Sequence, residues 1–321
     1  MTFEITILGC GAAAPTGRHH PSSQVVDLHD KLFLVDCGEG TQMQLRKYKI
    51  RMQRINHVFI SHLHGDHYLG LMGFISSMHL LGRKTTLHLF GPSPLKEIIE
   101  IQLKASQTFL EYPLEFHVTE DKEKTLIYED KSLFVYSFPL KHRIECCGFQ
   151  FVEKIRAPKI SKEEIKRYGL QPSHIIDLKK GKSVQLLNGT TLTPEEVCLP
   201  PDAPRSYAYC SDTAYSEKVV MAIENSSMVY HESTFLESEK ERAKTTFHST
   251  AIQAATTAKK AGAQKLVLGH FSSRYTDDHD FRKEARTVFE NTVLADEGKV
   301  FRIEHINNDD LEAAPTIAGE S

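Results

Sequence analysis

The 321-residue sequence predicts an α/β protein, because strand-like and helix-like runs alternate along most of its length. Short β-branched and apolar runs bounded by turns, the pattern of strands, come first. Apolar residues at helical spacing follow them, and the same order of strand, loop and helix returns late in the chain. The hydrophobic content of 40% allows a sizeable buried core.

The individual elements are predicted from apolar spacing and from turn residues. Strands are expected at residues 3–8, 24–28, 31–35, 57–61, 86–90, 133–138, 206–211, 228–231 and 265–269. Helices are expected at residues 41–48, 68–81, 94–106 and 250–261. Glycine-containing loops follow two early strands, at residues 9–11 and 36–40, as is common where strands lead into helices.

The net charge of -3 gives no overall basic character, so nucleic-acid binding would depend on a local basic patch. The first residues form a strand pattern rather than an export signal, and no apolar run approaches the ~20 residues that cross a bilayer. We therefore expect a soluble, cytoplasmic protein with no membrane contact. Its cysteines form no C-x-x-C pair and are expected to be reduced: Cys10, Cys37, Cys146, Cys147, Cys198 and Cys210.

The character of the sequence changes between residues 151 and 201, where apolar periodicity weakens and prolines, glycines and lysines accumulate. Residues 154–182 contain nine Lys or Arg against three Asp or Glu, an excess of six positive charges. This stretch is predicted to be an insertion with a basic patch that could bind nucleic acid. The alternative is a solvated, mobile surface loop.

Four potential metal ligands follow the predicted strand at 57–61: His62, His64, Asp66 and His67. In a strand-like segment His62 and His64 point to one face, and Gly65 lets the backbone turn so that Asp66 and His67 face a second position. Imidazoles and carboxylates at this spacing are typical of zinc sites, so one loop is predicted to serve two metals. The alternative is a surface loop with four polar residues.

Three later polar residues each end a predicted strand: His142, Asp212 and His270. Taken alone, each is more often an ordinary polar residue at a strand end. Together with the first loop they could complete one metal cradle, in which Asp212 bridges both ions.

These residues resemble the metallo-β-lactamase-fold hydrolases, whose ligand pattern is H-x-H-x-D-H followed by distant His, Asp and His. Within that group the chain is most similar to ribonuclease Z, the tRNA 3'-processing endonucleases. Three segments show this resemblance: Ser61–His67, the HEATF-like residues 231–235, and residues 268–275. The resemblance extends over nearly the whole chain.

The resemblance implies a four-layer αβ/βα sandwich, with one catalytic domain at residues 1–311, an inserted basic exosite arm at 152–200 and a disordered tail at 312–321. It implies a homodimer that cleaves precursor tRNA and holds two Zn²⁺ per subunit. The first zinc would be bound by His62, His64, His142 and Asp212. The second would be bound by Asp66, His67, Asp212 and His270.

The family also implies roles in the reaction. Asp66 would act on the attacking water as the base, and His248 would be the general acid, oriented by Glu232. From the residues alone, His248 is a residue near a helix start and Glu232 an ordinary buried carboxylate. Candidate RNA contacts are Lys179, Lys180, Gly181 and Lys182 in the arm, and Arg274, for which a structural ion pair is the alternative.

The sequence departs from the family in two loops. Residues 15–20 keep Arg18 but lack the lysine and asparagine of the P-x-K-x-R-N loop, and residues 172–174 replace the usual Gly-Pro of the arm. Two other functions remain open: a hydrolase of the same fold that acts on small phosphodiesters, thioesters or sulfate esters, and an RNA-binding scaffold without catalysis. Five further histidines are predicted to serve packing: His57, His79, His88, His117 and His305.

Overall fold

The computed structural model describes residues 2–305, and the tail predicted to be disordered at 312–321 lies outside them. The chain divides into two compact units. Of the described residues, the first unit comprises 2–152 and 206–303, and the second comprises 153–205 together with 304 and 305.

The first part of the larger unit alternates strands and helices. Its elements are β1 (Phe3–Gly9), β2 (Ser23–Leu28), β3 (Lys31–Cys37), α1 (Thr41–Lys47), β4 (Ile55–Phe59), α2 (Gly65–Tyr68), α3 (Leu71–Leu80), β5 (Leu87–Gly91), α4 (Pro94–Ala105), β6 (Leu114–Val118), β7 (Thr125–Glu129), β8 (Leu133–Pro139) and β9 (Cys147–Glu153). A single 3-10 turn, Met52–Arg54, precedes β4. Pro94 is the first residue of α4, where its missing N–H costs nothing.

The main segment of the smaller unit follows β9 in the sequence and precedes the next strand of the larger unit. Its elements are β10 (Lys159–Ile160), α5 (Lys162–Arg167), α6 (Pro172–Lys179), β11 (Val184–Gln185), β12 (Thr191–Leu192), α7 (Pro194–Val197) and β13 (Cys198–Leu199). Five side chains form its small core: Leu170, Leu178, Val184, Leu192 and Val197. The segment therefore has its own packed core, which does not agree with the alternative of a solvated, mobile surface loop.

The remaining elements complete the larger unit. They are β14 (Ser206–Cys210), α8 (Glu217–Ala222), β15 (Met228–Glu232), α9 (Lys240–Thr246), α10 (Ala251–Lys260), β16 (Leu266–Gly269), α11 (His279–Arg286), β17 (Thr292–Leu294) and β18 (Val300–Arg302). Thr250 caps α10: its hydroxyl accepts a hydrogen bond from the Gln253 N–H, and its own N–H donates to Gln253 Oε1.

Two seven-stranded mixed sheets form the centre of the larger unit. The first has the order β18-β1-β2-β3-β4-β5-β6 and the second β17-β16-β15-β14-β9-β8-β7. Strands β3 to β6 run parallel, as do β14 to β17. The carboxyl ends of parallel strands share one edge of a sheet, which is where ligands bind in such folds.

The sheets pack face to face with helices on their outer sides. Phe33, Phe59 and Phe151 interdigitate between the sheets, with ring centroids 5.5–6.2 Å apart. Leu45 of α1 and Phe74 of α3 pack on the outer face of the first sheet. Helices α8, α10 and α11 pack against the second sheet. The larger unit is the four-layer sandwich that the sequence predicted.

Some elements have no counterpart among the predictions. Among them are the edge strands β6 and β7, which are both partly exposed. Helix α11 buries only Phe281 and Ala285. Across residues 2–305, every helix is too short or too polar to span a lipid bilayer.

Candidate metal centre

The predicted ligand run begins three residues after β4 ends. Ile60 still donates its N–H to the Phe90 carbonyl, 2.8 Å away, but the following residues leave the sheet. His62 and His64 follow the strand, as predicted, but they lie in a loop and not in the strand-like conformation expected for them. Gly65 has no left-handed φ, and the change of direction is made by α2, which places Asp66 and His67 in its first turn.

Three histidines and one carboxylate form the first ligand cluster. The Nδ1 atom of His64 lies 3.0 Å from His62 Nε2 and 3.1 Å from His142 Nε2. Asp212 Oδ2 lies 3.5 Å from His62 Nε2 and 3.7 Å from His142 Nε2. Atoms bound at ~2.0–2.2 Å by a tetrahedral zinc are about 3.3–3.6 Å apart, so these four can share one ion.

The second cluster lies on the other side of Asp212. The Nε2 atoms of His67 and His270 are 3.3 Å apart, and Asp66 Oδ2 is 3.5 and 3.4 Å from them. Asp212 Oδ1 is 3.3 Å from His67 Nε2 and 3.1 Å from His270 Nε2. The two oxygens of Asp212 therefore face different clusters, which is the geometry of a bridging ligand.

The surroundings of Asp212 indicate whether the two clusters suit a bound cation. Its Oδ1 atom is buried and accepts no hydrogen bond within residues 2–305, although two histidine nitrogens lie nearby. A buried carboxylate oxygen without a partner is costly unless another charge compensates it. The donor atoms of each cluster lie within 4.8 Å of one another, so the residues fit a pair of divalent ions.

Protonation states in the metal-free chain agree with this fit. Burial disfavours the charged form of Asp212, but His270 and His67 outweigh it and hold its pKa well below the usual range. Burial lowers the pKa of His142 to about 4 and also lowers that of His62, so both imidazoles are neutral at pH 7. Neutral imidazoles and ionised carboxylates are the forms that bind metals.

His67 behaves differently from the other ligands. Burial opposes its protonation, but Asp212, Asp66 and Asp36 outweigh burial and raise its pKa well above the usual value. A proton on His67 thus offsets the surrounding carboxylates in the metal-free chain. An incoming cation would replace that proton, so metal binding should release one.

Hydrogen bonds on the far side of the rings fix three ligands. Buried Asp36, at the end of β3, accepts from His67 Nδ1 at 2.7 Å. The Thr234 hydroxyl lies 2.9 Å from His270 Nδ1, and the Phe247 carbonyl accepts from His142 Nδ1 at 3.0 Å. Such outer partners set the ring orientation and tautomer of metal ligands.

His248 and Glu232 form a pair beside both clusters. His248 Nδ1 lies 2.9 Å from Glu232 Oε1. The fully buried carboxylate also accepts from the N–H groups of Thr213, Thr234 and Ser249 at 2.9–3.0 Å. Burial opposes protonation of His248, but Glu232 and Asp212 outweigh it and raise its pKa to about 9, so the ring is charged at neutral pH.

An open cavity of about 720 Å³ lies over the clusters. Asp66, Asp212, His248 and His270 line its floor. Three exposed arginines line it as well: Arg143, Arg242 and Arg274. Within the described residues Arg274 forms no ion pair, so the structural alternative considered for it is absent there. Candidate metal ligands and arginines that line one cavity suit a polyanionic substrate.

The early loop is fixed to the segment that follows β16. Arg18 donates to the carbonyl of Thr276 at 2.6 Å and to that of Tyr275 at 3.0 Å, and it pairs with Asp278 at 2.9 Å. His19 Nε2 lies 2.9 Å from the same carboxylate. Arg18 therefore positions the loop whose Ala13 N–H donates to Asp66 Oδ2 at 2.7 Å.

The predicted arm contacts belong to the smaller unit. Lys179 ends α6, Lys180 caps it, and Gly181 follows with a φ of +81°, where a side chain would be strained. All three lysines, including Lys182, are exposed, and none forms an ion pair within residues 2–305. Arg156, Lys159 and Arg167 by contrast pair with carboxylates.

Comparison with known proteins places the chain in a family. Ribonuclease Z of Bacteroides fragilis is 47% identical over 295 residues, which are 92% of this chain and 97% of that protein. Ribonuclease Z of Cytophaga hutchinsonii is 45% identical over 313 residues, 96% of this chain and all of that protein (100%). The chain belongs to the ribonuclease Z family. The resemblance found in the sequence motifs is thereby confirmed.

Solved structures agree on the fold. Human tRNase Z, short form, superposes with a TM-score of 0.69 at 26% identity, covering 94% of this chain and 99% of that one. A metallo-β-lactamase-fold protein of Bacillus subtilis reaches 0.66 at 18% identity over 94% and 100% of the two chains, which shows the fold alone. The ribonuclease Z family member described here thus has the metallo-β-lactamase fold, as predicted.

One family profile, described as "Anti-Pycsar protein Apyc1", matches residues 3–132. This range includes the His62–His67 run but none of His142, Asp212 and His270. It covers less than half of the chain and does not change the family assignment.

Proposed function

We propose that this ribonuclease Z family member is an endoribonuclease that removes the 3' trailer from precursor tRNA. Membership of the family supports RNA hydrolysis, and two ligand clusters under one cavity support metal-assisted cleavage of a phosphodiester. The single observation that most favours a two-ion reaction is Asp212, whose oxygens face both clusters. Cleavage would leave a 3'-hydroxyl on the tRNA and a 5'-phosphate on the trailer.

The proposed cofactors are two Zn²⁺ ions per subunit. One would be held by His62, His64, His142 and Asp212, and the other by Asp66, His67, Asp212 and His270. Bound there, they supply Lewis-acid activation of the attacking water and of the phosphate oxygens. The mixture of imidazole and carboxylate donors is one that zinc favours.

Asp66 is proposed to act on the attacking water. Its Oδ2 atom faces the second cluster and is held by the Ala13 N–H at 2.7 Å. Burial opposes ionisation, but His67 and His270 lower the pKa of Asp66 far below its ordinary value. So acidic a carboxylate accepts a proton weakly, which makes orientation of the water its main contribution and proton transfer the lesser one.

His248 is proposed to protonate the leaving 3'-oxygen. It is charged at pH 7 because Glu232 stabilises the imidazolium, and it lines the cavity beside Asp212. With Nδ1 directed at Glu232, the ring has Nε2 left for the substrate. Glu232 acts through His248 and is a positioning residue.

The substrate is proposed to be held in two places. Arg274 lines the cavity and would bind a phosphate close to the cleaved bond, and we add Arg143 and Arg242, which sequence patterns did not reveal. The arm at 152–200, with Lys179, Lys180, Gly181 and Lys182, would grip the body of the tRNA. Exposed lysines without acidic partners favour contact with a phosphate backbone.

The decisive experiment is cleavage of a precursor tRNA by the purified full chain, with the new 3' end mapped by sequencing. We expect one cut at the trailer junction, loss of cleavage with a chelator and recovery with zinc. Asp66→Asn should retain precursor binding but not cleavage. Asp277→Asn, an exposed carboxylate next to His279, is the matched control and should cleave normally. Undiminished cleavage by Asp66→Asn would refute the mechanism.

We also propose a cytoplasmic homodimer in which the arm of one subunit holds the tRNA that the partner cleaves. The family resemblance supports the dimer, and six unpaired cysteines suit a reducing compartment. Mixing an arm-deleted chain with Asp66→Asn should restore cleavage, because one subunit supplies the arm and the other the centre. If the mixture stays as inactive as its parts, the shared arrangement is wrong.

A further inference from the structure

Three side chains on the first sheet form a polar group away from the cavity over the candidate metal centre. His88 lies on β5 and Glu115 and His117 lie on the edge strand β6. In the strand register His88 is opposite Glu115. Glu115 and His117 are two residues apart, so all three side chains point to the same face of the sheet.

The donor atoms of this group have the spacing of metal ligands. His88 Nδ1 lies 3.2 Å from His117 Nε2 and 3.3 Å from Glu115 Oε2. In the candidate metal centre the corresponding nitrogen pairs are 3.0–3.3 Å apart. All three donor atoms lie within 4.8 Å of one another, and atoms bound by a tetrahedral zinc are about 3.3–3.6 Å apart, so the group could close around one ion.

Neighbouring rings fix the two imidazoles. His88 stacks on His57 with ring centroids 4.9 Å apart and an interplanar angle of 12°. His117 stacks on Phe90 at 4.4 Å and 15°. Packing on one side of each ring limits rotation and keeps the nitrogens directed at each other. Ligands that are already oriented lose little entropy when they bind an ion.

The charge state of the group also suits a cation. Burial, and then the nearby His88, lower the pKa of His117, so its ring is neutral at pH 7. Burial likewise lowers the pKa of His57 to about 4, with His88 and His117 adding to the effect, so His57 brings no positive charge. Glu115 supplies a carboxylate whose side chain is 54% exposed, which leaves access from solvent.

We propose that His88, Glu115 and His117 form a separate metal site for one zinc-like transition ion. Two imidazoles and a carboxylate favour Zn²⁺ or a similar ion over Mg²⁺ or Ca²⁺, which prefer oxygen ligands alone. Water would complete the tetrahedron on the exposed side. The ion would link β5 to β6 and so stabilise the edge of the first sheet, which is otherwise held there by one strand pair.

The test is the zinc content of the full chain after dialysis against a buffer with fixed free zinc, measured by elemental mass spectrometry. Wild type should hold one zinc more per subunit than Glu115→Gln and than His117→Gln. This difference does not depend on how many ions the centre at His62 holds, so failure here is distinct from failure of the proposed function. His279→Gln, which removes an exposed histidine near a carboxylate, should retain the wild-type content.

A second measurement guards against variants that fold poorly. Thermal unfolding with and without zinc should show a larger zinc-induced rise in Tm for wild type than for Glu115→Gln, because an ion that binds only the folded state stabilises it. Glu115 is half exposed, so its replacement leaves the core intact. Equal zinc content and equal Tm shifts in wild type and both variants would mean that the group is only a hydrogen-bonded histidine pair.

Discussion

Asp36 receives hydrogen bonds from four donors although it is completely buried. Its carboxylate accepts from the Ser61 N–H at 2.7 Å, the Ser61 hydroxyl at 2.9 Å, the Tyr209 hydroxyl at 2.7 Å and His67 Nδ1 at 2.7 Å. Asp36 thereby joins β3 and β14, one strand from each sheet, to the ligand loop. In the sequence it is only the polar first residue of a glycine-containing loop, so nothing marked it as part of the site.

Replacing Asp36 should therefore weaken metal binding. Asp36→Asn places an amide N–H₂ against donors, and we expect zinc affinity to fall about 10–100-fold, as for other outer partners of ligand histidines. Zinc titration with a competing chromogenic chelator measures this. Tyr209→Phe removes one donor to Asp36 and leaves its hydrogen bond to His67, so the zinc affinity should fall much less. Wild-type affinity in Asp36→Asn would show that His67 is oriented by something else.

Glu232 should determine the alkaline pH limit of the cleavage activity. Its negative charge favours the protonated form of His248, whose pKa is raised to about 9, so loss of the charge lowers that pKa. Without that charge, His248 loses its proton at a lower pH than in wild type. In Glu232→Gln the alkaline limb of kcat/KM should move down by about one unit or more, since a neighbouring charge commonly shifts a pKa by 1–3 units.

The matched control for this profile is Glu217→Gln, an exposed carboxylate paired with Lys260. It should leave the alkaline limb where wild type has it. If Glu232→Gln also leaves the limb unchanged while lowering the rate, Glu232 has only a structural role.

At the scale of the elements, the short helix α2 places Asp66 and His67, and its position depends on a close backbone approach. Gly70 lies where the end of β3 meets the start of α3, and it donates its N–H to the Cys37 carbonyl at 2.9 Å. A Cβ added at Gly70 would be 2.0 Å from the Gly38 carbonyl oxygen. No real Cβ tolerates that distance, so any side chain here must push the helices away from the sheet.

Gly70→Ala should accordingly destabilise the fold and disturb the ligands together. We expect a loss of about 1–3 kcal/mol in the free energy of unfolding, as for other overpacked sites, and weaker zinc binding. Urea unfolding and zinc titration measure the two effects. Gly17→Ala is the control, because an added Cβ there has no neighbour within 4 Å. A stable Gly70→Ala with normal zinc binding would contradict this account.

Sequence patterns predicted the elements in which apolar residues recur at regular spacing. They also predicted the candidate ligands that follow strands. β14 and β15 are buried throughout and were evident as apolar runs ending near Asp212 and Glu232. Thr234, Arg143 and Arg242 were not evident, because a single polar residue belongs to no periodic pattern that would mark it as part of the cavity. Strand β6 could have been found, since Leu114, Phe116 and Val118 alternate with Glu115 and His117.

At the scale of the whole molecule, the smaller unit can be removed at a defined place. The Glu153 N–H donates to the Arg205 carbonyl at 3.0 Å, and the Arg205 guanidinium donates to the Glu153 carboxylate at 2.7–2.9 Å. Deleting 154–182 alone would leave the core residues Val184, Leu192 and Val197 without their packing partners. Replacing 157–202 by a short Gly-Ser linker removes the unit and retains the pair at its base.

We expect this deletion to abolish precursor-tRNA cleavage while sparing hydrolysis of a small chromogenic phosphodiester. The charge-reversed variant Lys179→Glu with Lys180→Glu and Lys182→Glu should keep the unit folded and raise KM for precursor tRNA, most strongly at low salt. Glu195→Gln, an exposed carboxylate in the same unit, is the control. Equal loss of both activities on deletion would count against an RNA-gripping arm and favour a general role in folding.

The insertion begins at Glu153 and ends at Arg205, and the position of these two ends affects how the chain can evolve. Val152 and Ser206 are direct partners in the antiparallel pair of β9 and β14, so the insertion enters and leaves the sheet at neighbouring positions. Genetic exchange at those two points replaces the whole unit without altering the register of a single strand. Given the proposed role of the unit in gripping the tRNA, such an exchange would change substrate choice and leave the proposed metal ligands in place.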